Sequence, residues 1–302
     1  MKKIFFFFFL LSAIGAYSQH IRARITDSHD QKPLPYAVIS LSHQRIVYTD
    51  SLGYFTLRTD SLFKKDTLHI QFIGYQSVSL PASSLRDNMV ISLDPSVESL
   101  QPVTVINCQR TRNFVINRRI RNINEYVGPG PETQLIILAR YDNNSGRNGW
   151  IKKISILLNE HSTNLKIPIR LRWYEWDLER KMPGKELTDT NLIVYPYKNG
   201  WNDFSIPDFA IFYPKDWIVF GLEFIYPPEY KNLLDEQTDK AAKLQWLNDM
   251  KNRWSLSMQF VKDKNETGFF IVNNGGISSY SKRNEKFFIR PAVRFTIEVC
   301  ND

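Results

Sequence analysis

Cysteine and histidine are scarce in this chain, and their scarcity sets aside several classes of protein. The two cysteines, Cys108 and Cys300, among 302 residues are too few to staple a disulfide-dense scaffold. The five histidines are His20, His29, His43, His69 and His161. None lies in an HxxE or HExxH pattern, whereas a catalytic zinc needs three converging His or carboxylate ligands and an open fourth position. No G-x-S-x-G segment supplies a nucleophile elbow. The longest apolar run, in the first eighteen residues, is too short to cross a bilayer, which takes about 20 residues. No pattern asks for a cofactor. Carboxylate pairs remain conceivable from Glu175, Asp177 and Glu223, since the two acids of a glycoside hydrolase can come from distant strands; solvated strand-end acids are the plainer reading.

What the chain has in quantity is hydrophobic and aromatic surface. Hydrophobic residues make up 43% and aromatics 14%, a composition that argues for packed cores rather than disorder. Residues 1–18 read as a secretory signal: Lys2 and Lys3, the apolar stretch Ile4 to Leu11, then the small-x-small site Ala16-Tyr17-Ser18. The chain is then expected in the periplasm, at the outer membrane or at the cell surface. Its formal net charge is +8. An exported basic protein rarely meets nucleic acid, so the expected anionic partners are acidic glycans, envelope phosphates or an anionic membrane surface. Export also makes a disulfide between Cys108 and Cys300 chemically possible.

The stretch from Pro33 to Gln76 carries the clearest pattern. Ala37, Ile39 and Leu41 alternate with Val38 and Ser40, the period of a strand buried on one face. Thr49-Asp50-Ser51-Leu52-Gly53 is a turn in which Asp50 can bond the backbone two residues on and Gly53 accepts positive φ. Tyr54 to Leu57 leaves as a second strand. Leu68, Ile70 and Phe72 repeat the alternation before Gly74, where the chain can bend sharply. This series, PLPYA…TDSLGYFTL…IGYQSV, resembles the carboxypeptidase regulatory-like domain over about residues 20 to 94. The resemblance implies a seven-stranded transthyretin-like β-sandwich, structural or interactive rather than catalytic, of the kind found ahead of outer-membrane receptors.

Residues 19–95 are therefore expected to form the first domain. Residues 96–131 are expected to be a linker, in which Ile116, Ile120, Ile123 and Val127 recur at helical steps beside Arg110, Arg112, Arg118, Arg119 and Arg121. That spacing predicts a basic amphipathic helix that packs on a neighbouring domain or rests on an anionic membrane. Gly128-Pro129-Gly130-Pro131 closes it. Residues 132–302 read as a second, jelly-roll-like β-sandwich. Strands are expected at Ile167 to Trp176, Ile218 to Phe224, Trp254 to Phe260 and Phe287 to Val299, with Pro291 marking an edge or bulge. Turns are expected at Met182-Pro183-Gly184-Lys185 and Lys198-Asn199-Gly200, and a helix near Asp239 to Met250.

In the strand from Ile167 to Trp176, Ile169, Leu171 and Trp173 take one phase and Arg170, Arg172, Tyr174 and Trp176 the other. Aromatic faces stack on sugars and Arg donates to hydroxyl or carboxylate groups. These four are the candidate ligand residues, with Trp150, Trp201 and Trp217 at or near strand ends. Asp142-Asn143-Asn144-Ser145-Gly146 offers oxygen ligands, but lacks the following glutamate of a calcium loop; ordinary turn chemistry accounts for it. The chain overall reads as a non-enzymatic, exported, all-β protein that binds glycans or cell-surface ligands through its second sandwich. The alternative is a protein–protein assembly module of an outer-membrane complex.

Overall fold

A computed structural model describes residues 20–41, 46–58, 65–96, 110–118, 122–127, 135–143, 145–158, 167–207, 211–225, 258–263, 269–273, 276–280 and 288–300. The signal stretch 1–18, the segment after the first domain, the Gly-Pro cluster at 128–131 and the helix expected near 239–250 lie outside these residues. So do Cys108, His43 and His161.

The described chain is all-β, with its sheets packed as sandwiches. The first seven strands are β1 (His20–Asp27), β2 (Val38–Leu41), β3 (Ile46–Tyr48) and β4 (Tyr54–Arg58), then β5 (Thr67–Gln71), β6 (Val78–Pro81) and β7 (Met89–Leu93). They make a three-stranded sheet, β4-β1-β7, and a four-stranded sheet, β3-β2-β5-β6. Between them lie Ile25, Ala37, Ile39, Phe55, Leu57, Leu68, Ile70 and Leu93, each nearly or fully buried. The period-2 pattern read from the sequence is the cause, since alternate side chains of a strand point to opposite faces. The turn before β4 forms as its residues dictate. Asp50 Oδ1 accepts from the Leu52 and Tyr54 amides at 2.8 and 2.9 Å, and Gly53 has φ +78° with Ile25 O only 2.6 Å from where a Cβ would stand. Only glycine fits there.

The remaining strands begin with β8 (Thr111–Ile116), β9 (Asn122–Val127), β10 (Leu135–Asp142), β11 (Gly149–Leu158) and β12 (Ile169–Asp177). Next come β13 (Met182–Glu186), β14 (Leu192–Val194), β15 (Gly200–Ser205), β16 (Phe212–Tyr213) and β17 (Trp217–Phe224). Last are β18 (Met258–Asp263), β19 (Phe269–Asn273), β20 (Gly276–Tyr280), β21 (Phe288–Pro291) and β22 (Val293–Cys300). One sheet runs β13-β12-β17-β10-β19-β20, with β14 on β12. The other runs β21-β18-β11-β22-β8, with β15 and β16 also on β11 and β9 on β18. Their inner faces share one core that includes Ile137, Tyr141, Ile154, Leu171, Phe220 and Phe295. At its centre Tyr141, Tyr213 and Phe220 each meet the Phe295 ring edge-on, with centroids 5.2, 5.2 and 5.3 Å away. Buried hydroxyls are satisfied: Tyr213 donates to Tyr141 O at 2.9 Å and Tyr141 to Pro291 O at 3.2 Å.

Three sequence expectations need correction. The helix expected over Arg110 to Val127 is two strands. β8 pairs with β22, Ile116 opposite Phe295 and Phe114 opposite Ile297, and β9 pairs with β18. Asn117 has φ +60°, which ends the first strand and is incompatible with a continuing right-handed helix. The apolar spacing happened to fit a helical period, and pairing with distant strands overrode it. Second, Met182 to Lys185 is not a turn but part of the terminal strand β13, where Pro183 is tolerated because an edge can spare an amide. The turn comes just earlier, where Asp177 Oδ1 accepts from the Glu179 and Arg180 amides at 2.9 Å each. Third, the long final strand breaks at Ala292 into β21, paired with β18, and β22, paired with β11. Pro291 stands at that break. Of the strand expected from Trp254, the described part begins at Met258.

Candidate functional site

The four candidate ligand residues on β12 do point away from the shared core, as their phase requires. Their face of the sheet is nevertheless covered. Tyr48 of β3 and Val38 of β2 pack with Ile225, beside Tyr36, Ile46 and Ile193, so the four-stranded β3-β2-β5-β6 sheet sits on the β12–β17 end of the larger sheet. Arg170 is 2% exposed and Glu223 0%. Glu223 Oε2 accepts from Arg170 Nη1 at 3.0 Å and from Arg172 Nη1 at 3.1 Å, while its Oε1 accepts from the Tyr48 hydroxyl at 3.0 Å. Arg170 also donates to the Tyr36 carbonyl and, at 2.8 Å, to Asn191 Oδ1. Arg172 makes a two-pronged contact with Glu186.

Electrostatics follows from this packing. Burial, reinforced by Glu223, pushes the Tyr48 hydroxyl far above the usual tyrosine range. Burial opposes the charge on Arg172, but Glu223 and Glu186 outweigh it and hold the guanidinium protonated more firmly than usual. Burial likewise raises Tyr174. Two arginines around one buried carboxylate form a junction between the smaller four-stranded sheet and the larger one, with their hydrogen bonds used internally. Trp176 stands apart from them. It is half-buried against Ile136, Leu138, Tyr174 and Val219, and Arg140 lies between its ring and that of Trp217, 5.2 and 5.1 Å from the two centroids. Of the three carboxylates considered for hydrolysis, Glu223 is this buried counter-ion, Asp177 binds a turn and Glu175 is exposed.

In the 142–146 loop, Asn143 is directed inward. Its amide donates to Pro214 O at 2.7 Å and to Arg147 O, and its Oδ1 accepts from Ser145 Oγ at 2.6 Å, the turn chemistry expected of Asx residues. Among the described residues no three His, Cys, Asp or Glu side chains gather as a metal site would need. His69 Nδ1 lies 2.7 Å from Ser79 Oγ, a pairing along one small sheet. Cys300 ends β22 and is disulfide-bonded.

The outer face of the other sheet has the features first sought on β12. Across β15, β11 and β22, register places Trp201 beside Leu157, and Asp203 beside Ser155 and then Arg294. The Arg294 guanidinium lies over the Trp201 ring, 3.7 Å from its centroid. Lys153 Nζ pairs with Asp203 Oδ2 at 3.2 Å, both side chains well exposed. Hydrogen bonding to Ser155, then to Lys153, holds the Asp203 carboxyl below its usual range. Near the start of β11, Trp150 meets Phe212 edge-on at 5.1 Å. Trp150 and Trp201 are thus separated along β11 by roughly 20 Å at about 3.3 Å per residue. The turn before β15 is fixed by Asn202, fully buried, whose Oδ1 accepts from the Tyr197 and Lys198 amides at 2.9 and 3.2 Å. It presents Tyr197, 56% exposed. Trp201 was expected at or near a strand end; only the fold brings the Arg294 guanidinium onto its ring.

Set against family models and against curated proteins, the chain matches none.

Proposed function

We propose that this is a non-enzymatic, exported, envelope-associated protein that binds glycans or related cell-surface ligands on the outer face formed by β15, β11 and β22. In this reading β1–β7 are a seven-stranded transthyretin-like module of the carboxypeptidase regulatory-like kind. The second unit is a jelly-roll-like sandwich that presents the ligand face. The observation that carries it is the pattern on that face: aromatic groups Trp201, Trp150 and Phe212 accompany the polar side chains of Lys153, Asp203 and Arg294, with Tyr197 exposed at the β15 edge. Rings supply stacking surface for the apolar faces of sugars, and the polar side chains supply donors and acceptors for hydroxyls.

The test is binding of residues 19–302 to a broad panel of envelope and plant polysaccharides, beside Trp201→Ala and Trp150→Ala. Saturable binding that falls at least tenfold in Trp201→Ala supports the site. Absence of binding to every glycan sinks it. The second reading is then the protein–protein assembly module of an outer-membrane complex. It is supported by the outer edges of β4 and β7, which carry no further strand among the described residues, and by Val90 of β7, 53% exposed. The face of the same sheet bears Arg22 stacked on Tyr54, 3.9 Å from its centroid, with Arg24 nearby, a basic surface suited to peripheral contact with an anionic membrane.

A further inference from the structure

The environment of Arg294 narrows the ligand class, granted the glycan-binding reading above. Arg294 leaves β22 on the outer face, and its cross-strand neighbour on β11 is Ser155, a residue with no charge to offer. The one carboxylate in the same row, Asp203, lies a further strand away on β15 and is held by Lys153. Asp203 supports the Arg294 charge at a distance but makes no ion pair with it. Arg294 therefore folds over Trp201 instead. Its Nε–H is buried and has no hydrogen-bond partner. Native structures rarely leave such a donor unmade; it is enclosed beside the ring, and the end of the guanidinium that a ligand can meet is its Nη pair, which is not in that buried, unpaired state.

We propose that the ligand is an acidic glycan and that Arg294, pre-oriented by Trp201, receives the carboxylate of a uronic acid unit. The guanidinium offers a planar fork of N–H donors that matches a planar carboxylate, and stacking on the indole has already removed most of its rotational freedom. A singly charged group is matched by this one guanidinium, whereas a phosphate dianion would call for a second cation and Lys153 is engaged with Asp203.

Calorimetry with residues 19–302 distinguishes this from its parent reading. The probes are polygalacturonate, the same backbone fully methyl-esterified, and phosphomannan. The proteins are wild type, Arg294→Gln, and Arg180→Gln as a control of equal charge change at an exposed turn; circular dichroism confirms that each is folded. Polygalacturonate is expected to bind wild type and Arg180→Gln at least tenfold tighter than the esterified chain, with the preference abolished in Arg294→Gln. Equal binding of charged and esterified chains overturns the carboxylate assignment and leaves the glycan reading standing. So does a preference that survives in Arg294→Gln, or tighter binding of phosphomannan than of polygalacturonate. Failure to bind any of the probes, or any glycan of the wider panel, removes both.

Discussion

Replacing Glu223 by glutamine keeps the side chain's shape and removes only its charge, so it isolates the ionic part of the junction between the two sheets. In the native protein that carboxylate is fully buried and shared by Arg170 and Arg172 at 3.0 and 3.1 Å, with side chains 3% and 14% exposed. With the charge gone, two guanidinium groups stay desolvated, and only Arg172 retains a carboxylate, Glu186. Breaking a buried pair from one side typically costs about 3–5 kcal/mol. Tyr48→Phe removes the third donor, and a hydrogen bond to a charged group contributes about 1.5–3 kcal/mol. Both losses are read from urea unfolding followed by tryptophan fluorescence. The two substitutions meet at one carboxylate, so Tyr48→Phe is expected to cost clearly less in the Glu223→Gln background than in wild type. A Glu223→Gln cost below about 1 kcal/mol would mean that water or alternative acceptors reach the arginines, against their burial. Strict additivity of the two changes would mean that Tyr48 does not engage the same group, and the account of the junction would fail.

Tyr75 and Asp27 offer a test by titration. The Tyr75 hydroxyl donates to Asp27 Oδ2 at 2.6 Å, and this contact, with the His29 amide next, holds the Asp27 carboxyl below its ordinary 3.8. Burial and the same hydrogen bond push Tyr75 up to about 12. A depressed carboxylate contributes stability above its unfolded value, lost as pH falls through the folded one. Tyr75→Phe should raise the Asp27 pKa toward 3.8 by carboxyl-carbon NMR and shrink that acid-dependent contribution; an unmoved Asp27 refutes the coupling. For the cysteines, we expect Cys108 to be the partner of Cys300: alkylation of the unfolded, unreduced chain should add no group and alkylation after reduction should add two. Two additions without reductant would exclude the bridge, whose removal should otherwise cost about 2–5 kcal/mol.

Much of the architecture was legible because β-structure writes itself as period 2. In β22, Val293, Phe295, Ile297 and Val299 are buried while Arg294, Thr296 and Glu298 are half-exposed, and β4 and β7 alternate in the same way. What could not be read is the identity of the pairing partner. Residues 110–127 show the consequence, since apolar positions spaced for a helix were recruited as strands by β22 and β18. The candidate site failed to be legible for a related reason. Phase correctly put Arg170, Arg172 and Tyr174 on the outer side of β12, yet phase is blind to another sheet laid over Arg170 and Glu223 and to neighbours of the same sheet that bury Tyr174. The signal that a junction was coming is Glu223, an acid in the otherwise apolar run Ile218 to Phe224, directly opposite Arg170 in the register. An acid flanked by apolar neighbours on a central strand is more often a buried counter-ion than a solvated group.

The outward arginines of the second sandwich can therefore be sorted by what stands across from them. Arg170 faces Glu223, and its charge is neutralised where the four-stranded sheet closes over it. Arg140 is paired with Asp142 at 2.9 Å and enclosed by Trp176 and Trp217, so it too is answered from within the chain. Arg294 faces Ser155 and lies on an aromatic ring; Asp203, engaged with Lys153, supports its charge at a distance without an ion pair. An opposite charge nearby on the sheet compensates such a group: it stands across the strands from Arg170 and two residues along the same strand from Arg140, whereas Arg294 makes no ion pair. Had Ser155 been an acid, Arg294 would be one more structural pair and the face would be closed to an anionic ligand. Ser155→Asp should accordingly offer Arg294 an acid and lower affinity for polygalacturonate to the level of its esterified form; because the position is buried and faces Asp203, circular dichroism is read beside it and only a folded variant counts. Retention of the acidic preference in that variant would show that the donor facing the ligand is not Arg294.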